Sequence, residues 1–384
     1  MDPAAAPGRR LTPAAFSPPV ALDPQERGAL VRRLGLEAGF DRVGIAPARA
    51  LDPAPFERFF AEGLHADMEW LRDDRRTDPR LLLPGAEAVA VFALSYFDPA
   101  QPPGRVARYA RGTDYHSILR RKLRKIRKAL AAADPGLGTF GSVDWGPIAE
   151  KPWAQAAGIG WIGKNGLLVT RTHGSWVLLG ALVLDRPCAP YDEPHRDFCG
   201  ACTACQGACP TDAFPRPYVV DSVRCLSYQT IENRGVVPDG FKSEWLFGCD
   251  ACQEVCPWNL RFARPTAERG FSPRANGLWD VPLDRLVRMG HAEWEARARG
   301  TALARPKHFG TVRNALIAAG SVGDPALLEA CAARLSDPNE GVRDAAAWAV
   351  RRLGGDPARL AAEVEQLPPC GEGLGRVDEG PERT

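Results

Sequence analysis

The stretch Cys199-Gly200-Ala201-Cys202-Thr203-Ala204-Cys205-Gln206-Gly207-Ala208-Cys209-Pro210 spells C-x2-C-x2-C-x3-C-P. With that spacing three thiolates wrap one iron–sulfur cube while the fourth points away to a second. A partner run, Cys249, Cys252 and Cys256-Pro257, matches the last three positions of the same pattern, but Leu246 stands where its first cysteine belongs. Cys225 lies between the runs and supplies the missing thiolate. The reading assigns Cys199, Cys202, Cys205 and Cys256 to one [4Fe–4S] cluster and Cys209, Cys225, Cys249 and Cys252 to the other. Zinc also accepts four thiolates, but a zinc knot has no use for this crossed arrangement. Two adjacent cubes serve one-electron relay.

Eight of the 11 cysteines fall in this segment, and Cys188, Cys331 and Cys370 remain as ordinary thiols, with Cys188 the one near enough to check. A disulfide scaffold belongs to short secreted chains, so a reducing, cytoplasmic setting is expected. No apolar run approaches the roughly 18 residues of a membrane span. Met1 to Pro24 has no continuous apolar core and reads as a loose lead-in, not a signal peptide. The formal net charge of +2 is too small to imply a nucleic-acid partner by itself, so any such signal has to be local.

N-terminal to the cysteines, Pro24 to Gly39 reads as a glycine-stopped amphipathic helix, followed by a short strand with Val43, Ile45 and Ala46. Ala86 to Phe97 reads as a buried strand, with a buried helix as the other possibility. Tyr115 to Ala132 is a helix and Trp176 to Leu184 a strand. C-terminal to the cysteines, helices are expected at Val312 to Ala319, Pro325 to Leu335 and Glu340 to Leu353, suggesting HEAT-like pairs or a small helical appendage. The expected fold class is α+β or α/β: an extension over 1–24, a folded N-terminal domain over 25–187, a ferredoxin-like two-cluster domain over 188–265, a HEAT-like helical domain over 266–365 and a tail over 366–384.

Between Arg105 and Lys128 there are ten Lys/Arg residues and one acid, Asp114. Such a run suits a phosphate-binding face. Gly158, Gly160 and Gly163 spell G-x-G-x-x-G, but no strand precedes them, so a nicotinamide site is not supported.

Several stretches together resemble the epoxyqueuosine reductases: Asp67-Met68-Glu69-Trp70-Leu71, Arg108 to His116, Val143-Asp144 with Pro147 and Glu150-Lys151, Gly160 to Gly166, Cys225-Leu226-Ser227-Tyr228, and Cys249 to Asn259. The resemblance covers roughly residues 25 to 350. It implies a cobalamin between the N-terminal domain and the clusters, reduction of the epoxide on the modified wobble nucleoside of tRNA, and Asp144 as proton donor, if burial keeps its pKa near the working pH. Lys151, Lys164 and Asn165, and from the cluster side Ser227, Tyr228 and Gln229, become candidates for holding the corrinoid. No histidine stands out as a cobalt ligand. Arg120, Arg121, Arg124, Lys125 and Lys128, with Arg305, Lys307 and Arg313, become candidates for the tRNA backbone. The expected partners are tRNA and an external one-electron donor of flavodoxin or ferredoxin type, the expected state a monomer with no membrane contact. The competing readings are a corrinoid reductase of another substrate, resembling reductive dehalogenases, and a non-catalytic ferredoxin-type carrier.

Overall fold

Alternation along one apolar run organises the N-terminal half. The computed structural model describes residues 21–365 except 102, 103, 145, 239, 240 and 276. Expectations for 1–20, the tail and Cys370 fall outside these. Four strands, β1 (Arg42–Pro47), β2 (Ala88–Ser95), β3 (Thr139–Ser142) and β4 (Val177–Leu184), form one sheet in the order β1-β2-β4-β3, every pairing antiparallel. The architecture is mixed, of the α+β kind.

Every residue of β2 is buried, which explains why periodicity alone left a helix possible: a strand covered on both faces reads as a continuous apolar run. Successive side chains still go to opposite faces. Ala88, Ala90, Phe92 and Leu94 enter one core with Val31, Leu119 and Ile126. Val89, Val91 and Ala93 enter another with Trp153 and Ala154. The first core is covered by helices α1 (Pro24–Glu37) and α2 (Tyr115–Ala133), the second by α3 (Glu150–Ala156). α1 starts from a capping box between Asp23 and Glu26. α2 starts at Asp114, whose carboxylate accepts the His116 N–H, and it buries Ile118, Leu119, Leu123, Ile126 and Leu130. Those residues fall on one stripe at helical spacing.

Through the cysteine segment the chain has only short helices. Cys225 immediately precedes α4 (Leu226–Ile231) and Cys256 precedes α5 (Pro257–Phe262). Beyond it, α6 (Lys307–Val322) packs on α7 (Glu340–Arg352). The helix expected over Pro325 to Leu335 is shorter: Pro325–Leu327 is a 3-10 turn leading into a helix at Leu328–Ala332. Leu246 and Phe247 are buried in this same helical core, so the residue at the missing-cysteine position packs away from the thiols. Among the described residues no helix is long and apolar enough to cross a membrane.

Candidate active site and cluster-binding segment

The thiols fall into two electrostatic groups. Burial pushes up the Cys205 thiol, and the next largest influences on it are Cys256, Cys199 and Cys202. Burial raises Cys249 to about 12, with Cys225 and Cys209 among its charged neighbours. Burial also raises Cys252 well above the ordinary thiol value, and the next largest influences on it are Cys249 and Cys225, followed by Cys205. Cys205 and Cys252 therefore bring the two groups side by side. All eight are free thiols. Among the described residues no three His, Cys, Asp or Glu side chains close around a single ion; each thiolate on a four-iron cube binds a different iron, so a cube calls for wider spacing. A soft all-thiolate donor set in two groups of four suits iron–sulfur cubes. Cys188 is fully buried with its thiol pushed up to about 11 by that burial, and it belongs to neither group. Cys331 is likewise buried in the helical core.

Asp144 follows β3 and holds a positive φ of 51°, a backbone state that costs a non-glycine residue energy and persists only where its surroundings enforce it. Its backbone N–H donates to Glu150 at the start of α3. Its carboxylate receives the Tyr115 hydroxyl at 2.5 Å and His116 Nε2 at 3.1 Å, while His116 Nδ1 sits 2.7 Å from Asp114. Burial would raise the Asp144 carboxyl, but His116 and Tyr115 outweigh it and hold the group below the usual carboxylate range. Burial would lower His116, but Asp114 and Asp144 push it up to about 9. Burial and the Asp144 charge push Glu150 up to about 8. The expectation that burial alone keeps a proton on Asp144 therefore needs correcting: at neutral pH the protons rest on His116 and Glu150, and Asp144 is the anion between them. Tyr115, His116 and Glu150 were not singled out as site residues in the sequence. The signal was available in the Asp114-Tyr115-His116 run, where alternate residues flank a tyrosine.

Asp144 has 56% of its side chain open to solvent, and Lys151 is also exposed, yet both are strongly desolvated. Groups open to solvent yet set among many protein atoms line the wall of a cleft. Lys151 is held below the usual lysine value by burial, opposed by Glu150, Asp144 and Cys225. Lys151 Nζ donates to the Gly166 carbonyl at 2.9 Å. Arg305 on the rim pairs with Glu232 at 2.7 Å and feels Asp144 and Tyr115. Tyr228 donates to Asp67 at 2.6 Å, and Ser227 hydrogen-bonds the Cys225 thiol. A cleft with cationic and hydroxyl groups on desolvated walls, backed by a thiol cluster, fits a large macrocycle carrying peripheral amides.

Three expected corrinoid contacts are otherwise engaged. Lys164 is buried and donates to the carbonyls of Gly200 (2.6 Å) and Cys202 (2.9 Å), on the first thiol group. Asn165 closes a turn onto Leu167 N–H. Gln229 is buried between Val223 and Asn233. The expected RNA contacts divide too. Arg120, Arg121, Arg124, Lys125 and Lys128 lie on the exposed face of α2, and Lys307 is exposed. Arg313 is 1% exposed and donates to the carbonyls of Gln229, Asn233 and Gly235, so it is a structural clamp. A separate cavity of about 850 Å³, lined by Arg105, Arg111, Pro210, Leu226, Lys242 and Trp245 among others, does not include Asp144 or Lys151; it lacks the proton-bearing groups.

A proton-loaded cleft set against two groups of four thiols defines an iron–sulfur oxidoreductase. A family model described as 4Fe-4S double cluster binding domain matches residues 198–259, and one described as epoxyqueuosine reductase QueG, DUF1730 matches 76–144. The epoxyqueuosine reductase of Gloeobacter violaceus is 43% identical over 301 residues, covering 74% of this chain and 93% of the relative; that of Pseudomonas aeruginosa is 36% identical over 355 residues, covering 88% and 97%. A solved epoxyqueuosine reductase bound to an epoxyqueuosine-modified tRNA-Tyr stem loop superposes with a TM-score of 0.78 at 28% identity, covering 88% of this chain and 93% of that one. The Bacillus subtilis enzyme, captured with its catalytic aspartate loop swung out of the active site, gives 0.77 at 27% identity, covering 88% and 94%. This chain belongs to the epoxyqueuosine reductase family.

Proposed function

We propose that this chain reduces epoxyqueuosine to queuosine at the wobble position of tRNA, through Asp144 and two [4Fe–4S] clusters that serve a cobalamin in the cleft. Two electrons and two protons remove the epoxide oxygen as water and leave the alkene. The corrinoid, when bound, supplies a strongly reducing cobalt for C–O cleavage. Cys199, Cys202, Cys205 and Cys256 would hold one cluster, and Cys209, Cys225, Cys249 and Cys252 the other. Lys151, Ser227 and Tyr228 would face the cofactor. The exposed basic face of α2, with Arg305 and Lys307, would fix the RNA by its backbone. The units are an N-terminal catalytic domain over 25–187, a ferredoxin-like domain over 188–265 and a helical domain over 266–365, in a cytoplasmic monomer fed by an external one-electron carrier.

The observation that carries this reading is the Asp114–His116–Asp144 array, with the Tyr115 hydroxyl on the same Asp144 carboxylate. Tyr115 and His116 orient the Asp144 carboxylate. A proton passed from His116 to Asp144 is delivered to the epoxide oxygen as its bond opens, and the array is reprotonated from solvent through the open cleft.

Anaerobic reconstitution with iron, sulfide and cobalamin quantified, then assay on epoxyqueuosine-containing tRNA, tests the reading. Bound corrinoid without tRNA turnover would favour another substrate, and no corrinoid binding would favour a carrier. Asp144→Asn should retain clusters and cobalamin and lose about 100-fold or more in turnover, the usual scale for a lost general acid. Full turnover in that variant would remove Asp144 from the mechanism.

A further inference from the structure

The two thiol groups differ in access. Cys209, Cys225, Cys249 and Cys252 are all partly buried. In the other group Cys202 is exposed, alone among the eight. An aromatic layer adjoins that edge: Trp161 Nε1 donates to the Cys199 sulfur at 3.4 Å, Trp161 packs on Phe198 and Trp258, and Trp258 stacks on Phe262 at 5.1 Å. Three exposed arginines lie on these rings. Arg171 and Arg196 sit 5.4 and 4.7 Å from the Phe198 ring centre, and Arg261 sits 5.2 Å from that of Phe262. None of the three is in an ion pair among the described residues. Beside Arg261, Leu260 is 75% exposed. Lys164 adds a buried positive charge behind Cys202, while Asp197 is occupied by the Cys199 N–H and the Tyr218 hydroxyl.

We propose that this arginine-edged surface, with Arg171, Arg196 and Arg261 around an apolar tip at Leu260, is the docking site of an acidic one-electron carrier protein that reduces the cluster beside Cys202. The proposal rests on the cluster assignment given above. Unpaired cations around an apolar centre steer an anionic partner and then exclude water at the contact. Each encounter oxidises the carrier by one electron and reduces the cluster by one, with no bond made or broken. Two encounters furnish the pair that epoxide reduction consumes. RNA would also be drawn to arginines, but these lie on rings that adjoin Cys199, in the group that holds Cys202, where only electrons have to arrive.

The full-length holoprotein is compared with an Arg171→Gln/Arg196→Gln/Arg261→Gln variant and its Glu counterpart, after iron content confirms that both clusters are present. Cluster bleaching is followed by stopped flow with flavodoxin hydroquinone and, separately, with reduced methyl viologen, a small cation that needs no docking site. Calorimetry measures binding of oxidised flavodoxin. At low salt the flavodoxin rate should fall about tenfold or more, its salt dependence should flatten and binding should weaken. The viologen rate and the affinity for tRNA should hold. An unchanged flavodoxin rate overturns the proposal. So does an equal loss with viologen, which would mean a damaged cluster, or loss of tRNA affinity with the flavodoxin rate kept, which would make the surface an RNA site. Failure of the wild type to turn over epoxyqueuosine with either reductant would count against the reaction proposed above and leave these rates readable.

Discussion

Proton storage beside Asp144 is set by two residues whose pKa values are both raised. His116 is raised to about 9 by its two carboxylate neighbours, so it is charged at neutral pH and loses its proton as pH rises through that value. Glu150 is raised to about 8 by burial and by Asp144, so it too is protonated at neutral pH and ionises as pH rises. Both losses remove protons from the same cleft, so turnover should be flat around neutrality and fall as pH climbs through 8 to 9, measured as the kcat profile with viologen as reductant. The stability linkage has the same sign. His116 stabilises fully below its unfolded value of 6.5, and that contribution disappears as pH passes 9. Glu150 has a folded pKa above its unfolded 4.5, so its ionisation increasingly penalises the folded state up to pH 8. His116→Gln should move the alkaline limb; an unmoved limb would take His116 out of the proton supply. The family resemblance pointed to Asp144 as a candidate in the sequence. Its ionisation state was not legible there, because that depends on side chains 28 and 29 residues away in the chain.

At the scale of elements, spacing singled out the cysteines as candidates, and burial accounts for Leu246 at the position where the pattern lacks one. Leu246 is 5% exposed in the helical core, with its N–H on the Arg105 carbonyl at 2.6 Å. A cysteine there would point into that core, which is why the proposed assignment turns to Cys225, set just ahead of α4, where burial raises the thiol and the Ser227 and Tyr228 N–H groups oppose that rise. Cys225→Ser should lower iron from eight per chain toward about four, the content of one cube, and leave the other cluster's signal in place. Two intact cluster signals would show that the fourth ligand is elsewhere. Strand and helix positions followed from periodicity wherever one face met a core, as in α2. The Pro325 to Leu335 segment did not, because Asp324 caps a proline-started 3-10 turn there and composition alone does not distinguish that turn from an α-helix.

Across the whole molecule, Arg313 shows how the helical region and the cluster segment are joined. Sequence reading grouped it with the surface cations, since nothing local separates a buried arginine from an exposed one. The carbonyls it reaches, on Gln229, Asn233 and Gly235, come from 78 to 84 residues earlier, a relation that exists only after folding. The guanidinium, its pKa lowered to about 10 mainly by burial, donates to Gln229, Asn233 and Gly235. The adjacent Asn314 donates to the carbonyls of Thr230 (2.8 Å) and Leu246 (2.9 Å). One turn of α6 thus satisfies the end of α4 and the chain at position 246, fixing the element that begins after Cys225. Removing the guanidinium strands several buried carbonyls at once, so Arg313→Ala should cost on the order of 3 kcal/mol and loosen the cluster that uses Cys225. Arg313→Lys should not rescue it, because an ammonium cannot reproduce the planar fork. Thermal unfolding of the holoprotein, with iron release followed in parallel, checks both. If Arg313 were instead an RNA contact, either variant would weaken tRNA binding while leaving the melting temperature and the rate of iron loss as they were.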